Sequence, residues 1–539
     1  MSLYRIKDIK SEIILPMSKP IIKQHQIIET DINDDIIFKL GAYMSWIALI
    51  TIINYIIVAY VVYRAMLRPY REPAARLAWV LVAITIPVIG IMLYFMFGET
   101  SIGFIRAKNM QKLKSEIFQN RFKVALNEPI IDTVPKKYHH IFRTGQSING
   151  FLPVGGNKYR LLENSETMID SLVADIDNAK HHVHILFYIW FANESGRRVA
   201  NALMRASRRG VVCRVLVDAV GSRKLISSNV WSDLHKSGVH AVSSLSIGNT
   251  LLRMILGRVD LRNHRKIVII DNYITYCGSQ NCADAHFNPK DKYALWIDAE
   301  VRFTGPIALQ NQHLFVQDWL AATREDLPPT HESEYPNDII DLANTQILKD
   351  MSSKMNSPCP SQVVGTGPTE RHDAMSDIFQ VIISSARQSL TITTPYFVPN
   401  GPVLNAICSA ARMGVVVKLI LSHNTDSWFV RAASHSYYPE LLEAGVEIYE
   451  YQSEVLHSKL LTIDGELGMI GSANLDRRSF DLNYENNIIF YDKKLTEDIL
   501  ERQQSYIDKS LNITIKEVNA WSKPSLLWYN INATLSPLL

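Results

Sequence analysis

One pattern occurs twice in this chain. Residues 264–281 read HRKIVIIDNYITYCGSQN and residues 457–474 read HSKLLTIDGELGMIGSAN. Both fit HxKxxxxDxxxxxxGSxN without insertion or deletion. His264, Lys266, Asp271, Gly278, Ser279 and Asn281 answer to His457, Lys459, Asp464, Gly471, Ser472 and Asn474. A motif kept at fixed offsets in two places points to two halves of similar fold, and its flanks extend the match. A helix over about Glu166 to Ala179 precedes the strand HVHILFYI, and one near Asp373 to Arg387 precedes SLTITTPYF. Helices ending ALMRASRRG and AICSAARMG run into the apolar strands VVCRVLVD and VVVKLIL. Continuous apolar strands between helices indicate parallel strands covered on both faces, hence an α/β sandwich in each half. Gly210, Gly238, Gly414 and Gly445 fit helix stops.

The repeated residues can do phosphoryl chemistry. Side chains two apart on a strand share a face, so His264 projects with Lys266 and His457 with Lys459. An imidazole can attack phosphorus or protonate a leaving oxygen, but not both in one step. Two motifs supply two histidines. Lys266 and Lys459 would hold phosphate oxygens, with Ser279, Asn281, Ser472 and Asn474 as neutral donors. Each histidine needs an acceptor on its second nitrogen. Asp271 and Asp464 are candidates within the motif; Asp298 in LWIDAE and Glu485 in LNYENN are the alternatives downstream. No His or carboxylate cluster has a metal-ligand spacing, so a site without metal or other cofactor is expected. KHHVHI (His181, His182, His184) is read as structural, with His184 on the opposite face from the neighbouring histidines.

The amino end has a different character. Leu40 to Tyr63 and Leu77 to Gly98 contain no charged residue, and each is long enough to cross a bilayer as a helix. They predict a transmembrane hairpin, 40–63 and 77–98, with aromatic residues toward its ends. Arg64, Arg68, Arg71 and Arg76 in the connecting loop oppose Arg106, Lys108, Lys112 and Lys114 after the second span. The charge distribution therefore does not choose a membrane face. With 56 basic and 53 acidic residues the formal charge is +3, which gives no support to nucleic-acid binding. Five cysteines without a CxxC pair argue against a zinc site or a disulfide framework. The expected divisions are an extension at 1–39, the hairpin at 40–98 and a basic connector at 99–150. The first α/β domain then covers 151–325, a linker 326–362, and the second domain 363–539.

The duplicated motif resembles the phospholipase D superfamily over about residues 155–520. That resemblance implies two phospholipase D-like α/β sandwich domains in a pseudo-twofold pair, with one site at their interface. It implies a covalent phosphohistidine on one histidine, usually that of the first half, the other acting as general acid and then base. It also implies that Asp298 and Glu485 orient His264 and His457, leaving Asp271 and Asp464 as supports of the motif. The hairpin ending ARLAWVLVAITIPVIGIMLYFMFGE, with TPYFVPNGPV, TDSWFVRAASHSYYPELLEAGVEIYEY, GSANLDRRSFDLNYE and the terminal SPLL, is similar to the bacterial cardiolipin synthases. This implies a multi-pass inner-membrane enzyme joining two phosphatidylglycerol molecules into cardiolipin and glycerol. A hydrolytic phospholipase D, or a transferase using another alcohol, would share the motifs. A nuclease would not need the hairpin, and a non-enzymatic scaffold would be expected to have lost part of a motif. Leu186 stands where the family pattern leads one to expect Gln or Glu.

Overall fold

The computed structural model describes residues 22–69, 73–99, 130–245, 258, 260–286, 295–323, 359–425 and 427–535, with side chains from Phe38 onward. Residues 1–21, most of the basic connector, the insertion at 246–257, the linker at 324–358 and the terminal SPLL lie outside the described residues. The chain forms two compact units, one ending at Tyr94 and one beginning at Phe95.

In the first unit, α1 (Ile22–Leu67) contains the expected first span and continues beyond both its ends. Its stretch Phe38–Leu67 is long and apolar enough to cross a membrane. The expected single helix over 77–98 is instead two, α2 (Pro73–Thr85) and α3 (Pro87–Phe97). The correction has a plain cause. Pro87 has no backbone N–H and disfavours helical geometry at Ile86, so the helix is interrupted there. Val61, Ala65, Ala83 and Tyr94 form a small core between α1 and the two shorter helices.

The second unit holds two sheets built alike. The first half supplies β1 (Lys158–Leu161), β2 (His182–Phe187), β3 (Val212–Asp218), β4 (His240–Ser244), β5 (Arg262–Asn263), β6 (Ile267–Ile270), β7 (Ile274–Gly278), β8 (Trp296–Ile297) and β9 (Glu300–Thr304). The second supplies β10 (Ser361–Thr366), β11 (Ser389–Thr394), β12 (Phe397–Val398), β13 (Val416–Ser422), β14 (Glu447–Tyr451), β15 (Val455–Leu456), β16 (Leu460–Ile463), β17 (Leu467–Gly471), β18 (Leu475–Asp476), β19 (Asn483–Tyr491) and β20 (Ser510–Ile513). The first sheet runs β1-β9-β7-β6-β2-β3-β4, and the second repeats it as β10-β19-β17-β16-β11-β13-β14, with β20 added. In both, three parallel strands adjoin antiparallel ones: β6 is antiparallel to β2, and β16 to β11. The apolar runs behave as the sequence predicts, since β2, β6, β11 and β16 are buried almost throughout.

Helices flank each sheet and follow local signals. Asn164 caps Ser165–Asn178, and Asn193 caps Glu194–Arg208. Gly210 and Gly414 end matching helices with φ of +87° and +90°, a conformation that a side chain would strain. The inner faces of both sheets share one core: Leu186, Ile267 and Phe303 belong with Ile420, Leu460 and Phe490. Ile307–Thr323 lies in this core, with every residue from Ile307 to Leu320 buried. Several of its polar groups are matched there; Gln310 bonds the Leu152 carbonyl and the Val363 N–H, and Asn311 Nδ2 donates to Thr275. The part of the connector just before residue 150 is no tether. Helix His139–Asn149 packs in the second half's core, and Asn149 exchanges two 2.7 Å hydrogen bonds with the Gly365 backbone.

Candidate active site

The two histidines are placed by strands that cross between the halves. β5 pairs in parallel with β19, so Arg262 and Asn263 lie beside Asn483 and Tyr484. The His264 N–H then donates to the Tyr484 carbonyl at 2.9 Å. β15 pairs in the same way with β8, and the His457 N–H donates to the Ile297 carbonyl, also at 2.9 Å. The next residue along each partner strand is an acid. Glu485 Oε2 stands 2.9 Å from His264 Nδ1, and Asp298 Oδ1 stands 2.6 Å from His457 Nδ1. Each histidine thus faces a carboxylate of the opposite half, which the sequence did not distinguish.

Both acids are buried and held. Burial alone would raise Asp298, but His457 and Lys459 outweigh it and bring the group to about 2. Burial likewise opposes ionisation of Glu485, and His264, Lys266 and Ser472 still hold it below the usual range. With ionised acceptors at Nδ1, both imidazoles carry their proton there. Burial lowers His264 to about 4 and His457 to about 3, so both are neutral near pH 7 with Nε2 as the basic nitrogen. Lys459 also lowers His264, and Lys266 lowers His457. Each histidine therefore senses the other half's lysine as well as its own. Lys266 Nζ donates to the His264 carbonyl at 2.8 Å, and Lys459 Nζ to the His457 carbonyl at 2.6 Å. Burial brings Lys266 down to about 8 and Lys459 to about 7.

The structure reassigns four sequence candidates. Ser279 donates to Asp298 at 2.7 Å, and Ser472 donates to Glu485. Their hydroxyls support the acids rather than pointing to a phosphate. Asp271 and Asp464 leave the catalytic set altogether. Asp271 accepts backbone N–H groups from Lys180, His181 and His182, and Asp464 accepts those of Arg387, Gln388 and Ser389. Both sit at left-handed turns, φ 51° and 53°, clasping the start of β2 or β11. Asp464→Ala is expected to lower unfolding free energy by about 1–2 kcal/mol, the loss of charge-assisted bonds to partly exposed backbone N–H groups. Denaturation of the purified chain would measure it. Asp464 is held below its ordinary range, so its contribution is present above the unfolded value and shrinks as acid protonates it. Asn281 accepts the Ile189 N–H at 3.1 Å, and Asn474 Nδ2 approaches Asp476 at 3.4 Å.

Several neighbours carried no signal in the motif. Ser479 and Asn483 also bond Glu485. Trp296 lies against His457 with ring centroids 4.4 Å apart, and Tyr188 edges onto His264 at 4.9 Å. Arg265, the residue between His264 and Lys266, is buried and pairs with Asp318 at 2.7 Å. Its guanidinium also bonds the Glu485 and Thr366 carbonyls. The Gly of each motif has a packing reason, since a Cβ at Gly278 or Gly471 would collide with the backbone of β9 or β19. His182 and His184 are structural: they bond Asn272 and Gln312. They share a face, however, with centroids 4.7 Å apart, as the two-residue strand repeat requires. Leu186 is fully buried in the inter-sheet core. Arg478 bonds the Asp260 carbonyl.

The family described as "Cardiolipin synthase, PLD-like domain" matches residues 172–319 and 380–506, the segments that contain both motifs. Cardiolipin synthase A of Proteus mirabilis is 34% identical over 496 residues, covering 89% of this chain and 95% of that one. The chain belongs to this cardiolipin synthase family. Cardiolipin synthase A of Yersinia pseudotuberculosis is also 34% identical, over 92% of this chain and 99% of its own. The family described as "Phospholipase_D-nuclease N-terminal" matches residues 44–99, which contain the apolar helices. The fold alone is shared with phosphatidylserine synthase of Haemophilus influenzae, at TM-score 0.51 and 13% identity over 75% of this chain and 100% of that one.

Proposed function

We propose that this member of the cardiolipin synthase family transfers a phosphatidyl group between two phosphatidylglycerol molecules, giving cardiolipin and glycerol. The observation that carries the reading is the crossed pair, His264–Glu485 and His457–Asp298, with Lys266 and Lys459 beside them. His264 Nε2 attacks phosphorus as Nδ1–H donates to Glu485. His457, protonated once an anionic phosphodiester enters, gives its Nε2 proton to the departing glycerol oxygen. A phosphatidyl-histidine forms. His457 then takes the proton from the hydroxyl of a second phosphatidylglycerol, whose oxygen displaces His264. The two lysines, with the Nδ2 groups of Asn281 and Asn474, hold the non-bridging oxygens.

The two α/β halves, 151–325 and 363–539 in outline, act in this reading as a pseudo-twofold pair. α1 forms the first membrane crossing. α2 and α3 together, kinked at Pro87, approach the length of a second, which would make a hairpin and an inner-membrane, multi-pass protein.

Purified full chain in detergent micelles with labelled phosphatidylglycerol and EDTA tests the reaction. Cardiolipin with equimolar glycerol supports it and its independence of divalent ions; phosphatidic acid as the lipid product makes it a hydrolase. The pH dependence follows from the lysines. Their lowered values mean that charge is lost as pH rises through about 7 for Lys459 and about 8 for Lys266. The anionic lipid then loses its counter-charge, so kcat/KM is expected to fall on the alkaline side through that window. A profile flat to pH 9 would contradict the lysine roles.

A further inference from the structure

Two helices of the second half present an apolar surface that the chemistry does not use. They are Trp428–His435, which follows the carboxyl end of β13, and Lys523–Thr534 near the end of the chain. Trp428 is 55% exposed, Leu527 63%, Trp528 40% and Ile531 45%. The exposed side chains are ordered against one another. Trp428 stacks on Phe429 with centroids 3.7 Å apart and on Trp528 at 5.3 Å.

A buried web fixes the two helices together. Glu450 of β14 binds His435 Nε2 at 3.1 Å, the Tyr438 hydroxyl at 2.9 Å and His423 Nδ1 at 2.7 Å. The His435 ring in turn lies 4.9 Å from Tyr529 and 5.4 Å from Trp521. The surface is therefore built on the sheet, not on a loose tail. It also lies at the catalytic end of that sheet. Ser422, closing β13, accepts the Leu456 N–H at 2.9 Å, one residue before His457. At the other end of β13 lie exposed Met413 and Val416.

We infer that the Trp428–Trp528 surface docks on an anionic bilayer and sets the mouth of the site against the lipid. Tryptophans with aliphatic neighbours favour the headgroup boundary, where one edge is apolar and the other wet. The two helices carry exposed Lys523 and no carboxylate, and Arg431 reaches back to His423 at 3.2 Å, so the surface itself bears no negative charge to repel anionic headgroups. A patch this apolar beside a site for lipid phosphodiesters has a use that a solvated face would not. The inference rests on the proposed lipid substrate, but its first test needs no turnover.

Leu527→Cys and Met413→Cys are made separately in the full chain and labelled with an environment-sensitive fluorophore; the five native cysteines are buried. Each is placed in vesicles of phosphatidylcholine and phosphatidylglycerol, with or without spin-labelled lipid. The expected result is a blue shift and quenching by spin-labelled lipid at 527 and neither at 413. No quenching at 527, or equal quenching at both positions, overturns the proposal. So does a blue shift at 527 that depends on protein concentration without lipid, since the occupant is then a second copy. Trp428→Ser with Trp528→Ser should lose roughly tenfold in turnover on vesicles and nothing on monomeric short-chain phosphatidylglycerol. Equal loss on both substrates counts against docking.

Discussion

His264→Ala is expected to lower cardiolipin formation by at least about 10⁴-fold while the protein keeps its thermal transition. The size follows from the role. Without a nucleophile no covalent intermediate forms, and neither Lys266 nor Lys459 can replace an imidazole at phosphorus. The check is direct. Labelled phosphatidylglycerol, quenched in base where a phosphohistidine survives, should leave label on the wild-type chain and none on the variant. Label retained by His264→Ala but lost by His457→Ala would exchange the two roles. The thermal transition is the control for a structural effect, because the His264 backbone anchors β5 against β19.

Glu485→Gln is expected to cost about 10²–10⁴-fold, as replacing an ionised acceptor by an amide permits the wrong tautomer of the histidine. Asp298→Asn should cost a similar amount, but in the opposite role. Because the pairing is crossed, Glu485 in the second half serves His264, and Asp298 in the first half serves His457. A phosphatidyl ester of p-nitrophenol separates them, since that leaving group needs no proton. Adduct formation from it should recover in Asp298→Asn and His457→Ala, and stay slow in Glu485→Gln and His264→Ala. Recovery in Glu485→Gln but not in Asp298→Asn, with His457→Ala still recovering and His264→Ala not, would sink the crossed assignment. Both variants retain a hydrogen-bonding side chain, which limits the structural cost. Ser472, Ser479 and Asn483 donors also remain around Glu485.

Much of this was legible in residue order because the physics involved is local. The spacing of His and Lys by two places both on one face of a strand wherever that strand goes. The apolar runs bounded by helices could be buried only between layers, and β2, β3, β11 and the later part of β13 are buried there. Asn164 and Gly210 mark helix ends because capping bonds and positive φ are settled within one turn. Pro87 shows the limit of such reading. A hydropathy window counts it as one tolerated residue, whereas the backbone loses a hydrogen bond and divides the helix.

The sequence by itself determined that there are two similar α/β halves, an apolar amino end, and histidine–lysine pairs capable of phosphoryl chemistry. Only the tertiary structure decided which acid serves which histidine, because that depends on β5 lying beside β19 and β15 beside β8 across the two halves. It also decided that Ser279 and Ser472 support acids and that Asp271 and Asp464 clasp backbone. In the motif those residues look equivalent to the reactive ones. A side chain's use is set by the nearest group left without a partner, and for Asp271 and Asp464 that group is the backbone at Lys180–His182 and Arg387–Ser389, distant in sequence.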